Sequence, residues 1–231
     1  MVTNDMPQLV TQGPALEQAG LVHRVLQPSG EGPHATVVMI HGRAGNEDVM
    51  WVFARSVPKG WLLVAPRAIK PDPDGGYSWH PRHHDEWPPL NRFDEAVSAV
   101  TRFIEALPQL YNADPDNVYL MGFSQGAATA YATAIHQPEL VQGIAGLVGF
   151  VPTEADAVRA TQPLAGLPIL MLVGKEDERI PYAVSQASAQ SLRNADATLE
   201  YYEYDTGHKL SAQGMRDLKQ WWAERARERN V

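Results

Sequence analysis

The chain has 231 residues, carries a formal net charge of −8 at pH 7 and contains no cysteine. The length suits one large α/β domain with a substantial core. An acidic chain without long runs of lysine or arginine argues against nucleic acid or an anionic membrane surface as a partner and favours a small or neutral substrate. The lack of cysteine excludes disulfides, thiolate metal sites and a cysteine nucleophile.

The N-terminal residues 1–19 are polar and contain the breakers Pro7, Gly13 and Pro14. We therefore expect a loosely attached lead-in there, followed by a single α/β domain over residues 20–231. The first residues lack a basic region followed by an apolar one, and no run approaches the ~18 apolar residues of a membrane span. The expected protein is cytoplasmic, without stable membrane insertion, and a monomer or homodimer.

Short apolar runs alternate with helix-like segments along the rest of the chain, which predicts a mostly parallel sheet with helices on both faces. The predicted strands are Leu21–Leu26, Ala35–Ile40, Trp61–Ala65, Val118–Gly122, Gly143–Val151, Ile169–Val173 and Leu199–Tyr204. The predicted helices are Glu47–Ser56, Arg92–Leu107, Gln125–His136, Glu154–Arg159, Pro181–Leu192 and Ser211–Arg229. Reactive groups in such sheets gather at the carboxyl ends of strands. Ser124, Asp177 and His208 each come just after a predicted strand.

The segment Gly122–Gly126 matches the G-x-S-x-G pattern of a nucleophile elbow, in which a strained turn between strand and helix lifts a serine hydroxyl above the sheet. A side chain in place of either glycine is expected to crowd neighbouring backbone. Ser124 is therefore the candidate nucleophile.

A serine hydroxyl needs a base, and histidine has the suitable pKa. Of the eight histidines, His208 follows the last predicted strand and completes the chain order serine, acid, histidine. For the acid that orients it, Asp177 follows the most strand-like run. Its rivals are the neighbouring Glu176 and Glu178, and Asp205. His41 sits at another strand end, where we expect a structural hydrogen bond.

The negative oxygen of a tetrahedral intermediate needs backbone donors. The N–H of Gln125, at a helix start, and that of Arg43, in the loop after His41 and Gly42, are the candidates. The Arg43 side chain has two open interpretations, namely holding a substrate carboxylate or phosphate, or pairing with Asp48 or another nearby acid.

The irregular segment Ile69–Leu90 is long for a compact domain, and loops of this length are usually functional or mobile. Within it, Tyr77, Trp79 and Trp87 make Pro71–Leu90 a candidate substrate-facing wall, the alternative being a packed surface loop. His80–Glu86 resembles a metal cluster in composition but lacks the i, i+4 histidine spacing of a zinc helix. No metal site is predicted.

Taken together, several segments resemble the phospholipase/carboxylesterase family of α/β-hydrolases from about residue 20 to about residue 225. This family includes acyl-protein thioesterase-like enzymes and small bacterial carboxylesterases. The segments are His41–Glu47, Gly122–Gly126, Gly174–Asp177, Ile180–Pro181 and Gly207–His208. The chain differs from many relatives at Arg43, where they carry an apolar residue, and at Tyr77–Trp79. Dienelactone hydrolases are similar in scaffold but use cysteine in place of Ser124.

The resemblance implies an α/β-hydrolase fold and a serine hydrolase of carboxylic or thioester bonds that needs no cofactor. By position, Ser124 matches the nucleophile, Asp177 the acid and His208 the base, with Arg43 and Gln125 as oxyanion donors. We expect a carboxylesterase for short- to medium-chain esters that forms an acyl-enzyme. The alternatives are an acyl-thioesterase or lysophospholipase, a catalytically silent ligand-binding protein, and an interaction protein with an apolar face near Trp221 and Trp222.

Overall fold

The computed structural model of the protein describes residues 6–81, 87–154 and 162–228. The strands in this part of the chain are β1 (Gln8–Val10), β2 (His23–Leu26), β3 (His34–Ile40), β4 (Leu62–Pro66), β5 (Lys70–Pro71), β6 (Tyr77–Ser78), β7 (Ala113–Phe123), β8 (Gly143–Leu147), β9 (Pro168–Gly174) and β10 (Thr198–Tyr204). Eight of these described strands form one sheet in the order β1-β2-β4-β3-β7-β8-β9-β10, while β5 and β6 pair as a small hairpin.

The α-helices of the same ranges are α1 (Pro14–Ala19), α2 (Asp94–Tyr111), α3 (Gln125–His136), α4 (Tyr182–Asn194) and α5 (Ala212–Glu228). Short 3₁₀ helices cover Val49–Ser56, Leu90–Phe93 and Pro138–Leu140. None of the helices in the described ranges has both the length and the apolar character that crossing a membrane requires.

The large sheet is parallel from β4 to β10 and antiparallel only where β1 pairs with β2 and β2 with β4. Alternate residues of a strand point to opposite faces, so the sheet separates two cores. On one face Val38 of β3 belongs to the same cluster as Phe103 of α2, and on the other Met39 clusters with Trp221 and Trp222 of α5. The mostly parallel sheet with helices on both faces is confirmed. Trp221 and Trp222 are both buried, so they pack α5 onto the sheet and do not form the exposed apolar face that the interaction-protein alternative requires.

The N-terminal segment differs from the prediction. Residues 8–10 form the edge strand of the sheet, so β2, which corresponds to the first predicted strand, lies one place inside it. Val10 and Ala19 are buried in the main core. The predicted lead-in over residues 1–19 therefore does not describe residues 8–19, which form a strand and a helix of the domain. A three-residue strand is too short to show a periodic pattern, and its pairing with β2 decides its conformation.

Several element boundaries also differ. The segment expected to be an α-helix over Glu47–Ser56 is a 3₁₀ helix beginning at Val49. Helix α2 continues past Pro108 to Tyr111, whose buried hydroxyl lies 2.6 Å from His23 Nε2 and so anchors the last turn. The strand predicted over Gly143–Val151 ends at Leu147.

Residues 114–117, which precede the strand predicted from Val118, lie within β7 at a register shift opposite β3. There the Asp114 carboxylate accepts the N–H of Asp116 at 3.1 Å and the side-chain amide of Asn117 at 2.6 Å, which is typical of a turn inserted in a strand. The predicted helix over Glu154–Arg159 lies outside the described residues, apart from Glu154 itself.

The edge strand β1 offers a matched pair of variants. Val10 is buried, whereas its neighbour Leu9 is 41% exposed. We expect Val10→Asp to lower the free energy of unfolding by roughly 2–4 kcal/mol because it buries a charge, and Leu9→Asp to change it by less than about 0.5 kcal/mol. Urea unfolding followed by circular dichroism measures both. Equal losses in the two variants would contradict the inclusion of β1 in the fold.

Candidate active site

Ser124 lies in a sharp turn between β7 and α3. Its backbone has φ 54° and ψ −119°, a region that residues with a side chain rarely adopt. The Ser124 N–H donates to the carbonyl of Leu147 in β8 at 2.9 Å, and the Ser124 carbonyl accepts the N–H of Ala127 at 3.0 Å. The surrounding backbone thus holds a strained serine at the carboxyl edge of the sheet.

Both glycines of the Gly122–Gly126 segment are required by close backbone approach. A Cβ at Gly126 would lie 2.1 Å from the carbonyl oxygen of Ile40 in β3. A Cβ at Gly122 would lie 2.4 Å from the carbonyl oxygen of Gly126. The prediction that side chains at these positions would crowd backbone is confirmed, and the contact lets α3 begin directly against the sheet.

Asp177 and His208 form a buried pair at the same edge. The Asp177 Oδ2 lies 2.8 Å from His208 Nδ1, and the two side chains are 2% and 6% exposed. The other oxygen of Asp177 accepts the backbone N–H groups of Arg179 at 2.8 Å and Ile180 at 2.9 Å. A carboxylate fixed in this way orients the imidazole with Nδ1 towards the acid and leaves Nε2 for chemistry.

The other candidate acids, Asp205, Glu176 and Glu178, are not described in contact with His208. Asp205 is exposed and pairs with Lys175, with 2.5 Å between carboxylate and ammonium. Glu176 and Glu178 are exposed on either side of the buried Asp177. Of these four acids, therefore, only Asp177 is described in contact with His208.

His208 also lies close to the elbow. Its ring meets the ring of Phe123, the residue before Ser124, edge to face with 5.3 Å between centroids. The loop that carries His208 packs closely against the end of β9, since a Cβ at Gly174 would lie 2.3 Å from the carbonyl oxygen of Thr206. The structure thus brings the elbow, the end of β9 and the loop after β10 to one edge.

The loop after β3 lies against the same serine. A Cβ at Gly42 would lie 3.2 Å from the Cβ of Ser124. Within the part of the chain that the structure describes, no acceptor takes the backbone N–H of Arg43 or that of Gln125. These two donors are available near Ser124 for an oxygen that develops negative charge. Their role as oxyanion donors stays a prediction.

The side chain of Gln125 has a separate structural contact. Its Oε1 accepts the backbone N–H of Trp79 at 2.8 Å, and its Nε2 donates to the carbonyl of His80 at 3.1 Å. This pair of bonds ties the segment after β6 to the first residue of α3. Residues 45 positions apart in the chain are joined, and nothing in the local pattern indicates it.

Tyr77 and Trp79, two of the three aromatic residues predicted to face substrate, are placed differently. Trp79 is 1% exposed and its indole N–H donates to the carbonyl of His41 at 2.8 Å. This placement does not support the predicted substrate contact, because the ring is packed inside the core. Tyr77 is partly buried beneath the Arg67 guanidinium, which lies 4.6 Å from its ring centroid. Substrate contact by Tyr77 stays a prediction.

The Arg43 side chain is paired within the protein. Its Nη1 donates to the carboxylates of Asp74 at 2.8 Å and Asp72 at 3.2 Å. Asp48, the neighbour considered from the sequence, pairs with Arg24 instead. The interpretation of Arg43 as half of a structural ion pair is supported, with different acids as its partners.

A cavity of about 360 Å³ lies between residues 151–154, which follow β8, and α4, and its described lining does not include Ser124, Asp177 or His208. Trp87 forms one wall and stands edge-on to Phe150, with 4.9 Å between ring centroids. The hydroxyl of Ser188 in α4 accepts the N–H of Val151 at 2.9 Å, which joins the two sides. The volume lies within the range of ~300–1,000 Å³ typical of small-molecule sites.

Among the residues that the structure describes, no group of three or more His, Asp or Glu side chains is arranged to hold a metal ion. His80 is buried against Phe93, with 4.6 Å between ring centroids. His83 and His84 of the same predicted cluster lie outside the described residues. A reaction that needs neither metal nor cofactor stays a prediction.

The model of the phospholipase/carboxylesterase family matches residues 22–224, most of the chain. The chain belongs to this family. Among solved structures, that of a carboxylesterase from Mesorhizobium loti superposes with a TM-score of 0.78 at 21% identity, over 94% of this chain and 98% of that one. At this identity the likeness shows the shared α/β-hydrolase fold alone, and that predicted fold is confirmed.

Curated relatives match over shorter segments. A probable carboxylesterase, SOBER1-like, of Arabidopsis thaliana is 31% identical over 114 residues, 48% of this chain and 44% of the relative. A probable inactive carboxylesterase of Oryza sativa is 30% identical over 119 residues, 51% and 48% of the two chains. Acyl-protein thioesterase 1 of Schizosaccharomyces pombe is 26% identical over 172 residues, 69% and 76%. The chain thus spans less than half the length of the first two relatives.

In this family member His41 is a buried neutral base. Its Nδ1 lies 2.7 Å from the Gly42 carbonyl, and its Nε2 accepts the N–H of Ala68 at 2.9 Å. Burial lowers the pKa of His41 to about 4, against the opposing effects of the Gly42 carbonyl and Glu47. Both hydrogen bonds fit the neutral Nδ1–H tautomer, because a proton on Nε2 would point at the N–H of Ala68 and leave two donors facing each other. The structural hydrogen bond predicted for His41 is confirmed.

This histidine predicts an acid-dependent loss of stability. The unfolded chain binds a proton at His41 below about pH 6.5, whereas the folded chain resists it down to a pKa of about 4. The stability contribution is therefore complete above about pH 6.5 and falls as pH drops towards 4, by roughly 3 kcal/mol in total. Urea unfolding at pH 7.5 and at pH 4.5 measures it.

His41→Asn should lose less stability between these two pH values than the wild type does, although it starts from a lower value. His136→Asn, which changes an exposed histidine, is the matched control and should keep the wild-type difference. If His41→Asn shows the full wild-type loss, the buried neutral state of His41 is refuted.

Proposed function

We propose that the protein is a serine carboxylesterase that hydrolyses short- to medium-chain carboxylic esters through an acyl-enzyme intermediate. The observation that carries this proposal is the buried contact of 2.8 Å between Asp177 and His208, at the edge where Ser124 occupies a strained turn. Membership of the phospholipase/carboxylesterase family supports it. A cytoplasmic location belongs to the same proposal.

Each group has a role in this reaction. Ser124 Oγ attacks the ester carbonyl carbon while its proton passes to His208 Nε2, and Asp177 stabilises the imidazolium that forms. The N–H groups of Arg43 and Gln125 receive the negative oxygen of the tetrahedral intermediate. Collapse of the intermediate breaks the bond to the alcohol, which leaves with the proton from His208.

The second half of the cycle repeats these steps with water. His208 takes a proton from a water molecule, whose oxygen attacks the acyl carbon bound to Ser124. The bond to Ser124 Oγ then breaks, the proton returns to the serine, and the carboxylic acid leaves. Asp177 and the two backbone donors act as before, and no other reactant is needed.

Two features support a neutral ester of modest size as the substrate. The cavity of about 360 Å³ is lined by residues that follow β8 and by α4, not by Ser124, Asp177 or His208, and we assign it to the acyl or alcohol group because its volume suits a short or medium one. The positive charge of Arg43 is offset by Asp72 and Asp74, so that side chain offers little to a substrate anion.

An acyl-thioesterase or lysophospholipase is the second candidate within the family, favoured by the relative named acyl-protein thioesterase 1. A catalytically silent binding protein is the third, favoured by the relative named as probably inactive. Matched ester and thioester substrates with the same acyl group separate the first two. Ligand binding that survives in Ser124→Ala, in a protein without detectable hydrolysis, would favour the third.

The nucleophile is tested by covalent labelling. A fluorophosphonate probe should add to the wild type at Ser124, and p-nitrophenyl esters of graded chain length should be cleaved best at short to medium length. Ser124→Ala should take no label and lose hydrolysis by at least ~10³-fold. Mass spectrometry of the labelled peptide gives the site, and a label elsewhere would refute the assignment.

The acid is tested by a second matched pair of variants. Asp177→Asn keeps the shape of the side chain but disturbs the orientation of His208, and kcat should fall by ~10³–10⁴-fold. Asp205→Asn changes the exposed acid of the same loop region and should stay within about 3-fold of wild type. Steady-state kinetics on one p-nitrophenyl ester compares them. A larger loss in Asp205→Asn would reverse the assignment.

A further inference from the structure

The loop that carries the Arg43 N–H is irregular, and its geometry must be imposed by its neighbours. It lies outside the helices and strands, and its internal backbone bond is a turn from the Gly45 N–H to the Gly42 carbonyl at 3.1 Å. Ala44 has φ 60°, a left-handed conformation that is unfavourable for a residue with a side chain. A donor that must be aimed to within ~0.5 Å needs outside support here.

Three consecutive residues of this loop bind the β5–β6 hairpin, residues 70–78. The Arg43 side chain donates to Asp72 and Asp74, as described above. The Ala44 N–H donates to the hydroxyl of Ser78 at 3.3 Å. The Gly45 carbonyl accepts the N–H of Tyr77 at 2.8 Å. These contacts fix the loop to the hairpin, and the hairpin with its contacts to residues 43–45 is called the brace.

Asp72 links two of these contacts, because it accepts both the Arg43 side chain and the hydroxyl of Ser78. Its side chain is 2% exposed, and its two oxygens accept the hydroxyl of Ser78 at 2.5 Å and the N–H of Asp74 at 2.9 Å, in addition to Arg43. Although burial favours the neutral acid, these donors and the charge of Arg43 lower the pKa of Asp72. A buried charge is tolerated only with such partners. Its removal would leave Arg43 and Ser78 without their common acceptor.

We propose that Asp72 is a positioning residue for catalysis, acting through Ser78 and Arg43 to hold the Arg43 N–H at the place where the oxyanion forms. This inference rests on the proposed esterase function. An interaction that is used only in the transition state changes kcat and leaves substrate binding unaltered. Loss of Asp72 should therefore lower kcat while KM stays nearly constant.

The test compares Asp72→Asn and Ser78→Ala with Asp48→Asn, a control that changes an acid of the neighbouring segment paired with Arg24. Active sites are counted by fluorophosphonate labelling, so that misfolded protein does not enter kcat. We expect kcat per active site to fall by roughly 10- to 100-fold in both test variants with KM within about 3-fold. The Ki of a boronic acid, which forms a tetrahedral adduct on serine, should rise by a similar factor.

A second measurement does not depend on activity. Amide hydrogen exchange of Ala44, followed by NMR, should accelerate in Asp72→Asn and remain at the wild-type rate in Asp48→Asn. Unchanged kcat per active site, a rise in KM alone, or an equal loss in Asp48→Asn would overturn the positioning role.

The two proposals fail differently. If the wild type shows no hydrolysis that depends on Ser124, the proposed function fails. Hydrogen exchange at Ala44 then tests by itself whether Asp72 fixes the loop of residues 43–45. Faster exchange in Asp72→Asn would support this, and unchanged exchange would overturn it.

Discussion

The close approach of α3 to the central strands is the constraint on which the rest of the site depends. With only hydrogen at the Cα of Gly126, the helix begins in contact with the carbonyl of Ile40, and Gly122 makes room for Gly126 in the same way. The chain can turn from β7 into α3 within one residue only if that residue, Ser124, accepts φ 54°. The strain of the turn, of the order of 1–3 kcal/mol, is tolerated because the packed neighbours allow no other path.

Two buried carboxylates organise the loops around that turn. Asp177 joins the end of β9 to the loop of His208, and Asp72 joins the β5–β6 hairpin to the loop of Arg43. Asp177 accepts two backbone N–H groups besides His208, and Asp72 accepts one besides Arg43 and Ser78, which offsets the cost of removing a charge from water. These bonds fix the loop of His208 to the end of β9 and the loop of Arg43 to the β5–β6 hairpin.

Gln125 shows how closely structure and the proposed chemistry are combined. Among the described residues its backbone N–H has no acceptor, while its side chain binds the backbone of Trp79 and His80. Trp79 in turn donates to the carbonyl of His41, whose own ring is fixed by Gly42 and Ala68. A substitution at Gln125 would therefore alter a chain of buried contacts as well as any effect on an oxyanion, and its kinetics alone would not separate the two.

The sequence by itself determined the alternation of strands and helices, the serine turn and the candidate groups at strand ends, because local periodicity and glycine spacing carry that information. It did not determine β1, which is too short for a pattern, nor the burial of Trp79, whose backbone binds Gln125 and whose indole binds His41, both far along the chain. It left Asp177 and Asp205 as rivals, and the partner of Arg43 open. Only the tertiary structure decided these points, since desolvation and hydrogen bonding between distant segments select which acid is buried and which remains in water.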